Sequence, residues 1–173
     1  MPSRDFAAFD PLTILSTLRD IEYLVIGGFA AILYGAPTTT ADLDILPLAT
    51  AENITSLGDV LTALHAVIRE PRSTGRRLVV TAELLQRAAA GASPGGQLRT
   101  RTAAGPLDIL WRLHDGRGYG DLVGRSCLLT EEELRVRVIG LDDLIGIKST
   151  IGRPQDRVAL PYLQAIRRRT GTP

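Results

Sequence analysis

The stretch YLVIGGFAAILYGAPTTTADLDIL, Tyr23 to Leu46, carries the pattern on which the rest of the chain depends. Its first four residues, Tyr23 to Ile26, read as a short buried strand, and Gly27-Gly28 stop it. FAAILYG then reads as a short helix ending at Gly35, and ADLDIL as a second strand. Successive side chains of a strand point to opposite faces, so Asp42 and Asp44 share one. Two carboxylates side by side repel each other and resist burial. A divalent cation between them removes that penalty, and hard oxygen donors suit Mg²⁺ or Mn²⁺. Asp42 and Asp44 are therefore candidate metal ligands.

Upstream of this stretch, Asp10 suits a helix N-cap with Pro11 in the first turn. That helix runs to Asp20 with Leu12, Leu15 and Leu18 on one face. Downstream, Glu52 to Val67 has helical spacing, with Ile54, Leu57, Leu61 and Leu64 forming a stripe. Leu78 to Val80 reads as a brief strand, Ala82 to Ala89 as a helix, and Gly91 to Gly96 as a loop. Leu98 to Ala103 and Pro106 to Leu110 form an expected hairpin turning at Ala104-Gly105. Asp121 to Gly124 fits no clear pattern, and Arg135 to Ile139 alternates as a strand. Helices over Leu141 to Thr150 and Gln155 to Arg169 are separated by Gly152-Arg153-Pro154. This order predicts an α+β domain spanning the chain. A mixed β-sheet core with flanking helices would occupy residues 10–112, and a C-terminal helical part residues 119–170.

Composition narrows the class. A length of 173 residues fits one domain, and 45% hydrophobic residues suit a packed core. No apolar run approaches the roughly 20 residues of a membrane span. The opening MPSRDFAAFD lacks the apolar block of a secretory signal, and Cys127 has no second cysteine to pair with. A soluble, cytoplasmic protein with no membrane partner is expected. A net charge of +1 neither demands nor excludes nucleic acid. Of 20 basic residues all but Lys148 are arginine. Drift in a GC-rich genome replaces lysine by arginine, so the surviving lysine marks a position suited to a compact point charge.

A third carboxylate comes from GPLDILW, Gly105 to Trp111, where Asp108 lies in an apolar strand between Leu107 and Ile109. A sheet could set it beside Asp42 and Asp44. Carboxylates holding paired cations clamp a nucleoside triphosphate and stabilise both oxygens of an in-line displacement. Gly27 and Gly28 let the backbone approach a ligand closely, with the amides of the next helix start available to phosphate.

IGGFAAILYGAPTTTADLDI, GPLDILW and RVIGLDDLIGIKSTIGRPQDRVALPYL (Arg137 to Leu163) together resemble the nucleotidyltransferase (polymerase-beta-like) superfamily. Within it they resemble the minimal toxins of bacterial toxin–antitoxin pairs, of AbiE and MenT type. The resemblance implies that Gly27, Gly28 and Thr40 lie against the triphosphate. It implies that Asp42, Asp44 and Asp108 hold metal, and that Asp108 also helps activate the acceptor. Lys148 would contact the nucleotide phosphates, and Arg153 and Asp156 would shape the nucleotide site. The implied reaction moves a nucleoside monophosphate from an NTP to an acceptor hydroxyl and releases pyrophosphate. In the MenT-type toxins that acceptor is the 3′ end of tRNA, its modification stops translation, and an antitoxin is the partner. One departure is Thr38, which stands where many relatives carry arginine.

Other readings remain. The acceptor could be a small molecule such as an antibiotic, or a protein. The domain could also be a degenerate one that only binds, which Thr38 favours. Arginines at Arg69 to Arg77, Arg99, Arg101 and Arg167 to Arg169 could form a basic face for RNA phosphates, with Arg99 and Arg101 favoured as acceptor contacts. Asp142 and Asp143 read as acidic residues opening the helix at Leu144. His65 and His114 read as structural, Cys127 as a small buried side chain, and Trp111 as core.

Overall fold

The computed structural model describes residues 8–69, 78–92 and 96–171. The chain begins with α1 (Pro11–Thr17), capped as expected by Asp10, whose carboxylate accepts from Thr13 N and Thr13 Oγ1. Strand β1 (Tyr23–Ile26) is buried throughout, and α2 (Gly27–Leu33) starts directly at the first of the two glycines. Strand β2 (Leu43–Pro47) follows, then α3 (Ala51–Ala63), β3 (Val67–Ile68) and α4 (Ala82–Arg87). Next come β4 (Gln97–Thr102), β5 (Gly105–Leu110) and α5 (Tyr119–Leu122). The last elements are β6 (Cys127–Glu131), β7 (Leu134–Val138), α6 (Leu141–Ile151) and α7 (Pro154–Thr170).

The described strands form a seven-stranded mixed sheet in the order β3-β4-β5-β2-β1-β7-β6. β1 pairs antiparallel with β2 and parallel with β7, while β2 pairs parallel with β5. The architecture is the expected α+β one, with a mixed sheet, flanking helices and two helices at the C-terminal end. Register separates the two faces. Leu98, Ile109, Ile45, Val25 and Val138 are cross-strand neighbours in one row, all buried. The adjacent row is Arg99, Asp108, Asp44 and Ile26. Because the side-chain period is two, the aliphatic row faces the core and the acidic row faces the other way.

Several boundaries differ from the sequence reading. Strand β2 begins at Leu43, so Asp42 sits in the bend before it rather than in the strand. Helix α3 ends at Ala63 instead of Val67 because His65 adopts φ 53°, which no α-helix accommodates, freeing Val67 and Ile68 to join the sheet. The brief strand at Leu78 to Val80 is a single bridge between Val79 and Val67. The hairpin turns one residue earlier, at Ala103-Ala104, and Asp121 lies in the short α5. Strand β6 is new, and together with β7 it extends the sheet from within residues 119–170. Cys127 is half-buried rather than buried. Trp111 is core, as expected, and His65 is exposed. Arg72, Arg76 and Arg77, and residues 93–95 of the glycine-rich loop, lie outside the described residues. Among those described, no helix is long and apolar enough to cross a membrane.

Candidate active site

The acidic row floors a cleft of about 730 Å³, within the usual range of small-molecule sites. Parallel pairing of β2 with β5 sets Asp44 directly beside Asp108, so two residues 64 positions apart in sequence become neighbours. Asp42, from the bend before β2, lies close enough to both to oppose their ionisation. Gly27, Gly28, Thr38 and Thr40 line the same cleft, and from its other wall so do Lys148, Arg153 and Asp156. The residues singled out in sequence for metal, nucleotide or catalysis are thus brought to one place; of the two favoured acceptor contacts, Arg99 lines the cleft and Arg101 does not.

The glycine pair is required by space as well as by backbone. Gly27 has φ +69°, and a Cβ there would lie 2.0 Å from Asp44 Oδ2. A Cβ on Gly28 would lie 2.8 Å from Thr40 Oγ1. Any side chain at either position would therefore push the aspartate or the threonine aside. Thr40 Oγ1 donates to Asp42 Oδ1 at 2.8 Å, so its hydroxyl orients a carboxylate.

Charge in the acidic row is unbalanced. Burial raises the Asp44 pKa to about 7, with Asp42 and Asp108 adding to the rise, while Arg153 and the Gly28 N–H pull the other way. Asp108 is also raised, first by burial and then by Asp42, against Arg69, Arg99 and a hydrogen bond from Gln97. Gln97 Nε2 donates to Asp108 Oδ2 at 3.1 Å, and Arg99 Nε stands 3.8 Å from the same oxygen. Asp108 Oδ1 is buried with no hydrogen-bond partner. An unmatched buried acceptor is costly, so the site favours an incoming cation or proton.

The opposite wall is neutralised internally. Lys148 is only 6% exposed, and its Nζ donates to Asp156 Oδ1 at 2.7 Å. Asp156 Oδ2 accepts from Arg153 N, capping α7 and tying it to α6. The lone lysine is therefore a buried, paired residue on the cleft wall. Arg153, exposed beside it, has its charge free to act on Asp44.

Sequence reasoning missed Gln97, Arg112 and His114, which also line the cleft. Gln97 was within reach, because it alternates onto the same face of β4 as Arg99. Arg112 and His114 follow β5 on the far side of Asp108, and no local pattern marks them. The reading of His114 as structural gives way to an exposed position on the cleft wall.

Among the described residues, no three His, Cys, Asp or Glu side chains are gathered in a geometry that would by itself hold a metal ion. Mg²⁺ commonly uses one or two carboxylates and completes its shell with water and substrate phosphates. Asp42 and Asp44 match that donor set, and Asp44 is raised first by burial and then by its two acidic neighbours.

No protein family and no curated protein matches the sequence. Solved structures do. A candidate nucleotidyltransferase from Thermotoga maritima is 15% identical and superposes with a TM-score of 0.52, over 94% of this chain and 99% of that one. The fold is nucleotidyltransferase-like. The antibiotic-resistance factor ANT(2″)-Ia is 13% identical at a TM-score of 0.49, over 92% of this chain and 88% of that one. JHP933 of Helicobacter pylori is 17% identical at 0.43, and the match covers 87% of this chain and 61% of that one.

Proposed function

We propose that the chain is a metal-dependent nucleotidyltransferase, moving a nucleoside monophosphate from an NTP to an acceptor hydroxyl with release of pyrophosphate. The observation that carries this reading is the unbalanced row of Asp42, Asp44 and Asp108 on the floor of one cleft, facing Lys148 and Arg153. Mg²⁺ or Mn²⁺ held by Asp42 and Asp44 would neutralise the triphosphate and align the reacting oxygens. Gly27 and Gly28 admit the phosphates close to the backbone. Thr40 keeps the Asp42 carboxylate oriented through its hydroxyl. Asp108, on the cleft floor beside Gln97 and Arg99, receives the proton of the acceptor hydroxyl. Arg153 balances the charge that develops on the leaving pyrophosphate, and the Lys148–Asp156 pair holds α6 and α7 around it.

Arg69, Arg99 and Arg112 line the cleft, the first two close enough to act on Asp108. That charge favours an acceptor bearing phosphates over a cationic antibiotic. Together with the resemblance of the Asp-x-Asp and Gly-Arg-x-x-Asp segments, it supports the 3′ end of tRNA as acceptor. It likewise supports a role as the translation-blocking toxin of a toxin–antitoxin pair, with an antitoxin as partner. Incubating the protein with Mg²⁺, total tRNA and each labelled NTP tests the reading. Label should enter tRNA from one NTP, and Asp42→Ala should abolish it. Label in no acceptor together with clean metal-dependent NTP binding would move the acceptor to a small molecule or a protein. Absence of NTP binding would favour a degenerate domain, the reading that Thr38 supports.

A further inference from the structure

Outside the cleft, two arginines converge on another carboxylate. Asp143, in the first turn of α6, has a side chain only 9% exposed. It accepts from Arg117 Nη1, from Arg125 Nε at 3.0 Å and from Arg125 Nη2 at 3.1 Å. Arg117 is itself held, because Asp115 accepts from its Nε at 2.8 Å and from its backbone N at 3.1 Å. Neither Asp143 nor Arg117 lines the cleft, yet each sits beside residues that do. Asp143 precedes Leu144, on the helix that carries Lys148. Arg117 closes a turn begun at Arg112, in which Leu113 N donates to Arg117 O at 2.8 Å and Arg112 Nη1 donates to Gly116 O at 3.1 Å. Arg112, Leu113 and His114 line the cleft, as do Leu144, Ile147 and Lys148 of α6.

We propose that the Arg117–Asp143 contact is a tie between two segments that line the cleft, the 111–118 turn and α6, and that both are positioning residues setting the separation at which these segments hold a nucleotide. The occupant named here rests on the function proposed above; the tie itself rests on the contacts. Arg125 supplies an internal control. It bonds the same carboxylate, but it belongs to a 3₁₀ turn, Val123–Arg125, that contributes nothing to the cleft. Its backbone already packs against the start of α6, where a Cβ on Gly140 would lie 2.5 Å from Arg125 O. Losing the Arg125 side chain therefore removes a partner of Asp143 without releasing either segment.

The experiment measures Mg²⁺-dependent binding of ATP, GTP, CTP and UTP by calorimetry in wild type, Asp143→Asn, Arg117→Gln and Arg125→Gln, and amide hydrogen exchange in the same four proteins. Asp143→Asn and Arg117→Gln should each weaken the tightest-bound nucleotide about tenfold, as loss of the charge-assisted Arg117 contact would, while Arg125→Gln stays near wild type. Exchange should quicken over residues 111–118 in the first two variants and not in the third, even where melting temperatures match. Equal effects of Arg117→Gln and Arg125→Gln, or unchanged exchange in Arg117→Gln, would overturn the tie. A wild type that binds no NTP would refute the nucleotide reading instead, and the exchange pattern would still decide whether the tie exists.

Discussion

Asp44 and Asp143 are the same residue type, both partly buried with Asp44 the deeper, and their surroundings drive them in opposite directions. Asp44 faces Asp42 and Asp108 from inside the fold, and its pKa rises to about 7. Burial would also raise Asp143, but hydrogen bonds from Arg125 and Arg117 outweigh it and hold the carboxyl below the ordinary range. The fold thus supplies counter-charge in direct contact at one carboxylate and only at a distance, from Arg153, at the other. A framework aspartate is satisfied within the chain, whereas a working one is left for a ligand to satisfy. The contrast is a physical reason to place the chemistry on the Asp42–Asp44–Asp108 row and the architecture on Asp143.

The largest expected effect breaks the comparison if it fails. Alanine at Asp42, Asp44 or Asp108 should lower kcat by about 10³-fold, in the range of losing a principal electrostatic stabiliser. Asp143→Asn should act on nucleotide affinity and leave kcat near wild type. Single-turnover label transfer at saturating NTP separates the two. An equal loss of kcat in Asp143→Asn would erase the distinction between site and framework.

Next in size is stability at the Lys148–Asp156 pair, which is buried like the acidic row but balanced like Asp143. Removing one partner of a buried ion pair strands the other, so Lys148→Ala should destabilise by about 3–5 kcal/mol. Lys148→Met combined with Asp156→Leu should recover much of that loss. Urea unfolding of the three proteins checks it. If the double variant is no more stable than the single one, the pair is not the source of the loss.

A pH test sharpens the contrast at Asp44. Its folded pKa lies above its unfolded one, so the native state holds the proton more tightly. That stability is present in full below the unfolded pKa, near 4, and is lost as pH rises through about 7. At pH 8 the buried charge takes up to about 4 kcal/mol. Asp44→Asn should therefore raise Tm at pH 8 and gain little at pH 4. Saturating Mg²⁺ with NTP should narrow the gap by stabilising wild type alone. Thermal melts with and without the pair of ligands read this directly, and an Asp44→Asn protein less stable than wild type at pH 8 would contradict it.

Much of this site was legible because its parts are local. The step from strand to Gly27-Gly28 to helix, and the spacing of Asp42 and Asp44, are visible within 24 consecutive residues. Asp108 was legible as a charge misplaced in an apolar strand, although its contact with Asp44 depends on a parallel pairing that no local pattern encodes. The misses share a cause. Helix α3 stops early at His65 and the β6–β7 hairpin turns at Glu132-Glu133, and among the described residues His65 and Glu132 are the non-glycine positions with positive φ. Glycine or asparagine normally marks such turns, so their absence hid both the end of α3 and strand β6. Asp143 was legible as a helix-opening acid, but its arginine partners lie 26 and 18 residues away in sequence and only the fold brings them in.

The smallest effect belongs to Asp142, the neighbour of Asp143. It also pairs with an arginine, Arg167 Nη1 at 3.3 Å, but both side chains are about half exposed, at 47% and 49%. Water screens that contact and the long arginine side chain loses freedom to make it, so an exposed pair contributes about 0–1 kcal/mol. Asp142→Asn should change stability by less than about 0.5 kcal/mol and leave both nucleotide affinity and the exchange of residues 111–118 at wild-type values. Asp143→Asn, one position along the same helix and identical in chemistry, should change all three. A double-mutant cycle with Arg167→Gln against one with Arg117→Gln measures the difference as coupling energy. If the two cycles return the same coupling, burial is not what separates a framework aspartate from a surface one.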